Sequence, residues 1–183
     1  MSPASFELTY QPPTDLEGTT CVVRRVSDLQ DYYQDKTAVR ELLAAGDPEI
    51  YQFWSVEYAG SGAGLSYGVT TIQPGKVGRE FYMTKGHYHA GPGDEIYLAL
   101  SGHGTVLLRD HSGQVKAYEL KPGKMVYIDE GWGHRTANDG TGALVFVSIW
   151  APGIEHDYER VLREGYPTLT ENSPAGASRA GDL

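Results

Sequence analysis

Apolar and polar positions change their rhythm along this chain. Between residues 27 and 45, Leu29, Tyr32, Val39, Leu42 and Leu43 recur at roughly helical spacing. Ser27 is a suitable N-cap, Asp28 and Asp31 suit a first turn, and Gly46 with Asp47-Pro48 supplies a stop. The spacing predicts one packing helix over 27–45. From residue 50 the rhythm becomes that of strands. The runs IYQFWSVEYA, GLSYGVTTIQ, REFYMT, EIYLAL, GTVLLRD, VKAYEL, KMVYID, HRTAN and ALVFVSIW are short and rich in aromatic or branched residues. Between them lie turn sequences such as GSGAG, QPGKVG, AGPGD, SGHG, KPGK and NDGTG. About nine closely spaced strands with no intervening helix predict an all-β fold, an antiparallel barrel or double-sheet sandwich. Ahead of it, residues 1–26 read as an extended arm broken by QPPTDLEG. A second helix is expected over 156–164, ending at Gly165. The expected organisation is one domain: arm and packing helix in 1–48, barrel in 49–166, and a small, polar, disordered tail in 167–183.

Composition narrows the function classes. The chain has 183 residues, enough for one substantial core, with 40% hydrophobic and 21% charged residues. A formal net charge of −9 argues against a phosphate-backbone binder, so no nucleic-acid partner is expected, although a small anion held by local donors fits. The single cysteine, Cys21, cannot close an internal disulfide, and the start MSPASFELTY has neither a basic region nor an apolar stretch. No apolar run reaches membrane-spanning length. The expected setting is the cytoplasm, with no membrane partner.

Chemistry concentrates in TKGHYHAGPGDEIYLALSGHG, residues 84–104. On a strand, His87 and His89 share a face at roughly 6.5 Å of rise, close enough to converge on one ion. Glu95 follows a glycine-rich turn, and His134 stands in GWGHRTAN, a separate glycine-flanked turn. A lone histidine in a β protein is usually a hydrogen-bonded polar residue. The pair, the carboxylate and the third imidazole together favour a metal site. Three imidazoles and one carboxylate suit a divalent first-row transition ion rather than Ca or Mg. A six-coordinate ion would keep two positions for water or substrate. Tyr97 shares a strand face with Glu95 and can reach the same cavity or simply fill the core. Lys85 reads as solvated, His103 and His111 as surface residues, Trp132 as packing beside the metal turn, and Trp54 and Trp150 as core. Cys21 has no visible role.

These residues resemble two known motifs. HYHAGPGDEIYLALSG matches the first cupin motif from its first histidine, His-x-His, a five-residue spacer, Glu95, then Gly102, with Phe81 where a leading glycine is usual. GKMVYIDEGWGHRTAN matches the second through Gly123, Gly131, His134 and Asn138, with Asp129 where proline is usual. The resemblance implies a cupin jelly-roll barrel with a few peripheral helices and an N-terminal arm. A narrower resemblance runs from about residue 50 to 166. TKGHYH, EIYLALSGHGTVLL, GWGHRTAN and VSIWAPGIEHDYERVLREGY look like the cupin-type glucose-6-phosphate isomerases. That family implies a metal-dependent aldose–ketose isomerase interconverting glucose 6-phosphate and fructose 6-phosphate. It implies metal ligands at His87, His89, Glu95 and His134, with Glu95 also the candidate base. It implies phosphate contacts at Thr70, Thr84 and Gly86, with Tyr51 beside them. His156 and Tyr158 of EHDY, which alone would read as polar residues at a helix start, are implied at the sugar, where the strand face already directs Tyr97. One ion per chain is implied, Fe first, with Mn, Ni, Co and Zn as alternatives, and the chain is implied to be a homodimer. A proton relay through Glu95 and a hydride shift both fit these residues. The alternatives are another cupin enzyme, such as an iron dioxygenase or another sugar-phosphate isomerase or epimerase, and a non-catalytic sugar-binding cupin.

Overall fold

The computed structural model describes residues 18–57 and 64–173. Its framework is two antiparallel sheets packed face to face. The larger runs in the order β1 (Thr19–Arg25), β2 (Glu49–Val56), β3 (Ser66–Ile72), β12 (Leu144–Trp150), β7 (Glu95–Ser101), β10 (Met125–Ile128). The smaller is β11 (Gly133–Ala137), β8 (Gly104–Arg109), β9 (Val115–Leu120). Two ribbons complete the strands: β4 (Lys76–Val77) with β5 (Glu80–Phe81), and β6 (Tyr88–Ala90) with β13 (Glu155–Asp157). This is an all-β fold of the jelly-roll kind. Among the described residues its strands form facing sheets rather than one closed ring of ladder bonds.

Alternation decides what enters the space between the sheets. From the larger sheet come Tyr51, Ile72, Tyr97, Ala99, Val126 and Phe146, and from the smaller Val106 and Leu108, all in one buried cluster. The outer face of the smaller sheet holds a second cluster, Tyr88, Leu107, Val161 and Tyr166, under α3 (Tyr158–Glu164).

Several sequence expectations shift here. The helix predicted over 27–45 is two helices, α1 (Val26–Leu29) and α2 (Lys36–Ala45). Asp35, not Ser27, caps the longer one by accepting from the Thr37 and Ala38 N–H groups. Ser27 instead donates through its backbone and hydroxyl to Asp47. The intervening turn buries Tyr33, and Glu80 Oε1 accepts from the Gln34 and Asp35 amides, which satisfies the broken backbone. Part of the expected arm, residues 19–25, is an edge strand paired with β2, so the sheet starts before residue 49. REFYMT contributes only the two residues of β5. The helix expected from 156 starts at Tyr158, because residues 155–157 pair with β6. Of the tail expected over 167–183, residues 167–173 lie against the domain: Phe81 N–H donates to Leu169 O, and Glu171 N–H to Arg79 O. The rest of the arm (1–17), most of the GSGAG turn and residues 174–183 lie outside the described residues.

Candidate functional site

The site sits between the sheets, where a short segment and three strands converge. His87 and His134 exchange backbone hydrogen bonds, His87 N–H to His134 O at 3.1 Å and His134 N–H to His87 O at 2.9 Å. This isolated bridge brings the second motif onto the first. Their rings lie 4.2 Å apart, and the His89 and His134 rings 5.1 Å apart. Gly133 is required beside them, because a Cβ there would fall 2.7 Å from the Tyr88 ring. Glu95 opens β7, and its Oε2 approaches His134 Nε2 at 3.2 Å and His89 Nε2 at 3.4 Å.

The donor set fits a metal ion. One ligand atom from each of His87, His89, Glu95 and His134 can be chosen so that all lie within 4.8 Å of one another. His87 Nε2, His89 Nε2, His134 Nε2 and Glu95 Oε2 are buried without a properly directed hydrogen-bond partner. Four buried, unsatisfied lone-pair groups aimed at one point are costly unless something cationic is shared among them. The outer nitrogen of His89, Nδ1, donates to Gly93 O at 2.8 Å, which turns Nε2 toward the cluster. Burial, reinforced by the His134, His156 and His89 rings, holds the His87 pKa well below the usual imidazole range, so its lone pair is free. At Glu95 burial opposes ionisation, but His134 and His89 outweigh it and keep the carboxyl well below its usual pKa. At His89 burial opposes protonation, but the Glu95 carboxylate and Gly93 carbonyl outweigh it and raise the pKa. A proton would therefore compete with an ion for His89 Nε2 as pH falls.

The cavity beside this cluster is lined by all seven residues expected at the substrate. Tyr51, Thr70, Thr84, Gly86, Tyr97, His156 and Tyr158 share it with His87, Glu95 and His134. His89 stays behind the wall, its side chain fully covered. His156 faces His89 in register across the β13–β6 ribbon, and its ring lies 4.0 Å from that of His87. Tyr158 is 41% exposed at the rim. Tyr97 is buried between the His134 ring at 5.5 Å and Phe146 at 4.8 Å. Burial, and then the Glu95 charge, push its phenol pKa well up, so it stays a neutral hydroxyl. Thr84 and Gly86 sit on one tight segment. Gly86 has φ +71°, and a Cβ there would lie 2.9 Å from His134 O, so only glycine fits.

Sequence reasoning overlooked part of the wall. Lys85, taken as solvated, lines the cavity, and its ammonium lies 5.6 Å from the Tyr32 ring. Ser148 and Trp150, both buried, also line it. Ser148 left one usable signal, a lone polar residue at an inward position of VFVSIW. Trp150, expected as plain core, lies opposite Glu95 in the β12–β7 register. His103 and His111 are exposed, as expected of their turns, and Cys21 is exposed.

Residues 23–170 match the family described as "Glucose-6-phosphate isomerase (GPI)". The chain is 38% identical over 155 residues to the glucose-6-phosphate isomerase of Pyrococcus horikoshii, covering 84% of this chain and 82% of that one. It is 39% identical over the same shares to the protein of that name from Thermococcus onnurineus. Among solved structures, Bacillus subtilis oxalate decarboxylase aligns at 20% identity and TM-score 0.49, over 58% of this chain and 27% of that one.

Proposed function

This chain belongs to the glucose-6-phosphate isomerase family, and we propose that it interconverts glucose 6-phosphate and fructose 6-phosphate using one divalent first-row transition ion per chain. The observation that carries the reading is a single cavity holding both halves of the chemistry. His87, Glu95 and His134 of the donor cluster line it together with Thr70, Thr84 and Gly86, and His89 completes the cluster from behind the wall.

The reaction moves a proton between C1 and C2 while the two oxygens exchange hydroxyl and carbonyl character. When bound, the ion, Fe first or Mn, Ni, Co or Zn, supplies Lewis-acid polarisation of the sugar's carbonyl oxygen. In this reading Glu95 is the base. Held ionised by His89 and His134, it takes the C2 proton of the aldose and returns it to C1. Tyr97, His156 and Tyr158 orient the sugar hydroxyls, and the aromatic walls Phe53, Phe146 and Trp150 exclude water from the reacting carbons. Thr70, Thr84, Gly86 and Tyr51 take the phosphate, whose charge needs donors rather than a large basic patch. The reading includes a homodimer and a cytoplasmic setting, in keeping with the lone exposed cysteine. No helix among the described residues is long and apolar enough to cross a membrane.

A coupled isomerase assay on fructose 6-phosphate tests this, run before and after chelation, with Fe or Mn added back. Turnover is expected to disappear with the ion and return with it. No turnover by the fully metallated protein would overturn the reading, and oxygen uptake with a diol substrate would replace it with a dioxygenase.

A further inference from the structure

β11 alternates between two tasks. His134 and Thr136 pair with Leu108 and Val106 on the inner face, so Arg135, opposite Leu107, points the other way. That face is covered, and Arg135 is 1% exposed. Its guanidinium donates through Nε and Nη2 to the Lys85 carbonyl oxygen at 3.2 and 2.7 Å. Nη1 donates to the carbonyl oxygens of Tyr166 and Pro167 at 3.4 and 3.3 Å. The rings of Tyr166 and Tyr32 flank it at 5.0 and 5.8 Å. Every hydrogen-bond partner is a neutral carbonyl. Glu80 acts on the guanidinium only at a distance, with one carboxylate oxygen already taken by the Gln34 and Asp35 amides. A buried arginine without a paired carboxylate is unusual enough to require a reason.

The carbonyl it grips belongs to the Lys85–Gly86 peptide, on the cavity wall. That peptide is trans, so its C=O and N–H point in opposite directions. Fixing the oxygen toward Arg135 turns the Gly86 N–H the other way. No backbone acceptor for that N–H is found among the described residues. Donation to the carbonyl also polarises the peptide and makes its N–H a stronger donor. The neighbouring strand residue holds Thr84 similarly: Thr136 N–H donates to Thr84 Oγ1 at 3.1 Å, and Thr84 N–H to Thr136 O at 2.9 Å. The Thr84 oxygen is thus an acceptor inward, which leaves its O–H to donate elsewhere.

We propose that Arg135 is a positioning residue for the phosphate end of the substrate. It fixes and polarises the Lys85–Gly86 peptide, and the bound phosphate adds to the distant charge of Glu80 a counter-charge reached through that peptide. This rests on the reading that Thr84 and Gly86 meet the phosphate.

The test compares Arg135→Met and Arg135→Lys with the wild type, each loaded with metal and checked for metal content and melting. For R135M, the KM for fructose 6-phosphate and the inhibition constant of inorganic phosphate are both expected to rise about 10- to 100-fold, the loss expected for hydrogen bonds to a charged group. The kcat should change less, and inhibition by glucitol, which has no phosphate, should not change. R135K keeps the charge without the fork and should recover only part. A folded, metallated R135M with normal phosphate affinity, or with an equal loss for glucitol, would overturn the proposal. A measurement on the wild type guards against a variant that does not fold. With the zinc-loaded protein, the NMR signals of the Gly86 amide and Arg135 Nε–H are expected to move together as inorganic phosphate is titrated. Movement of the Gly86 signal alone, or of neither, sinks the idea. Coupled movement in a protein without isomerase turnover would overturn the proposed reaction while leaving the role of Arg135 standing.

Discussion

At Glu95, burial and two imidazoles act in opposite directions on one carboxyl group, and the imidazoles win. The carboxylate is therefore charged at neutral pH inside an apolar wall, a state that suits both a ligand and a base. Replacing it tests which role governs turnover. Glu95→Gln keeps the shape and one oxygen donor but cannot accept a proton. We expect kcat to fall about 100-fold or more while the KM for fructose 6-phosphate changes little. Near-normal kcat in a variant that retains its ion, measured by metal analysis alongside the assay, would exclude Glu95 as the obligatory base and favour the hydride shift. At this scale the sequence was informative. The residue types and spacing of His87, His89, Glu95 and His134 pointed to one ion, because few other arrangements need that set. Lys85 was not legible, since a lysine beside glycine has common explanations that involve no site, and Ser148 left only its inward position in an apolar run.

The strands and turns show where local pattern suffices. VKAYEL matches β9 residue for residue, because its edge residues are flanked by turn sequences on both sides. The helix at 27–45 failed because Glu80, far away in sequence, stabilises a break at Gln34 and Asp35. Strand β13 failed because its three residues are extended only through pairing with β6. Three strands are also linked through one charged group. His103, in the turn between β7 and β8, contacts Asp139 after β11 at 2.6 Å and Glu119 of β9 at 3.1 Å. Glu119 is shared with Lys121 and Lys124, both at 2.9 Å. Although partial burial opposes it, Asp139 and Glu119 raise the His103 pKa. A raised histidine pKa contributes stability that is fully present below the unfolded value, near 6.5, and is lost as pH rises through the folded value. His103→Ala is therefore expected to lower stability at pH 5.5, by about 0.5 kcal/mol for so exposed a pair, and hardly at all at pH 9. Denaturant melts at the two pH values check this. An equal loss at both would assign His103 a packing role instead.

For the molecule as a whole, the group that could hold a metal ion joins segments that are distant along the chain, from His87 and His89 through Glu95 to His134. Its unsatisfied buried donors make the ion-free protein the less stable form. An ion present at about 100 times its Kd adds about 2.7 kcal/mol. Chelation is then expected to lower the melting temperature by roughly 5–10 °C for a chain of this size. Calorimetry with and without chelator measures it, and an unchanged melting temperature would mean that these four residues do not hold an ion tightly. The sequence by itself determined the β class, the candidate ligand set and the positions of most turns. All three depend on local periodicity, turn chemistry and residue type. Only the tertiary structure decided that β1 joins the sheet, that residues 155–157 are extended, that residues 167–173 lie against the domain and that Arg135 grips the Lys85 carbonyl. Each of those depends on a partner remote in sequence, and the free energy of such a contact leaves no trace in the pattern of its own segment.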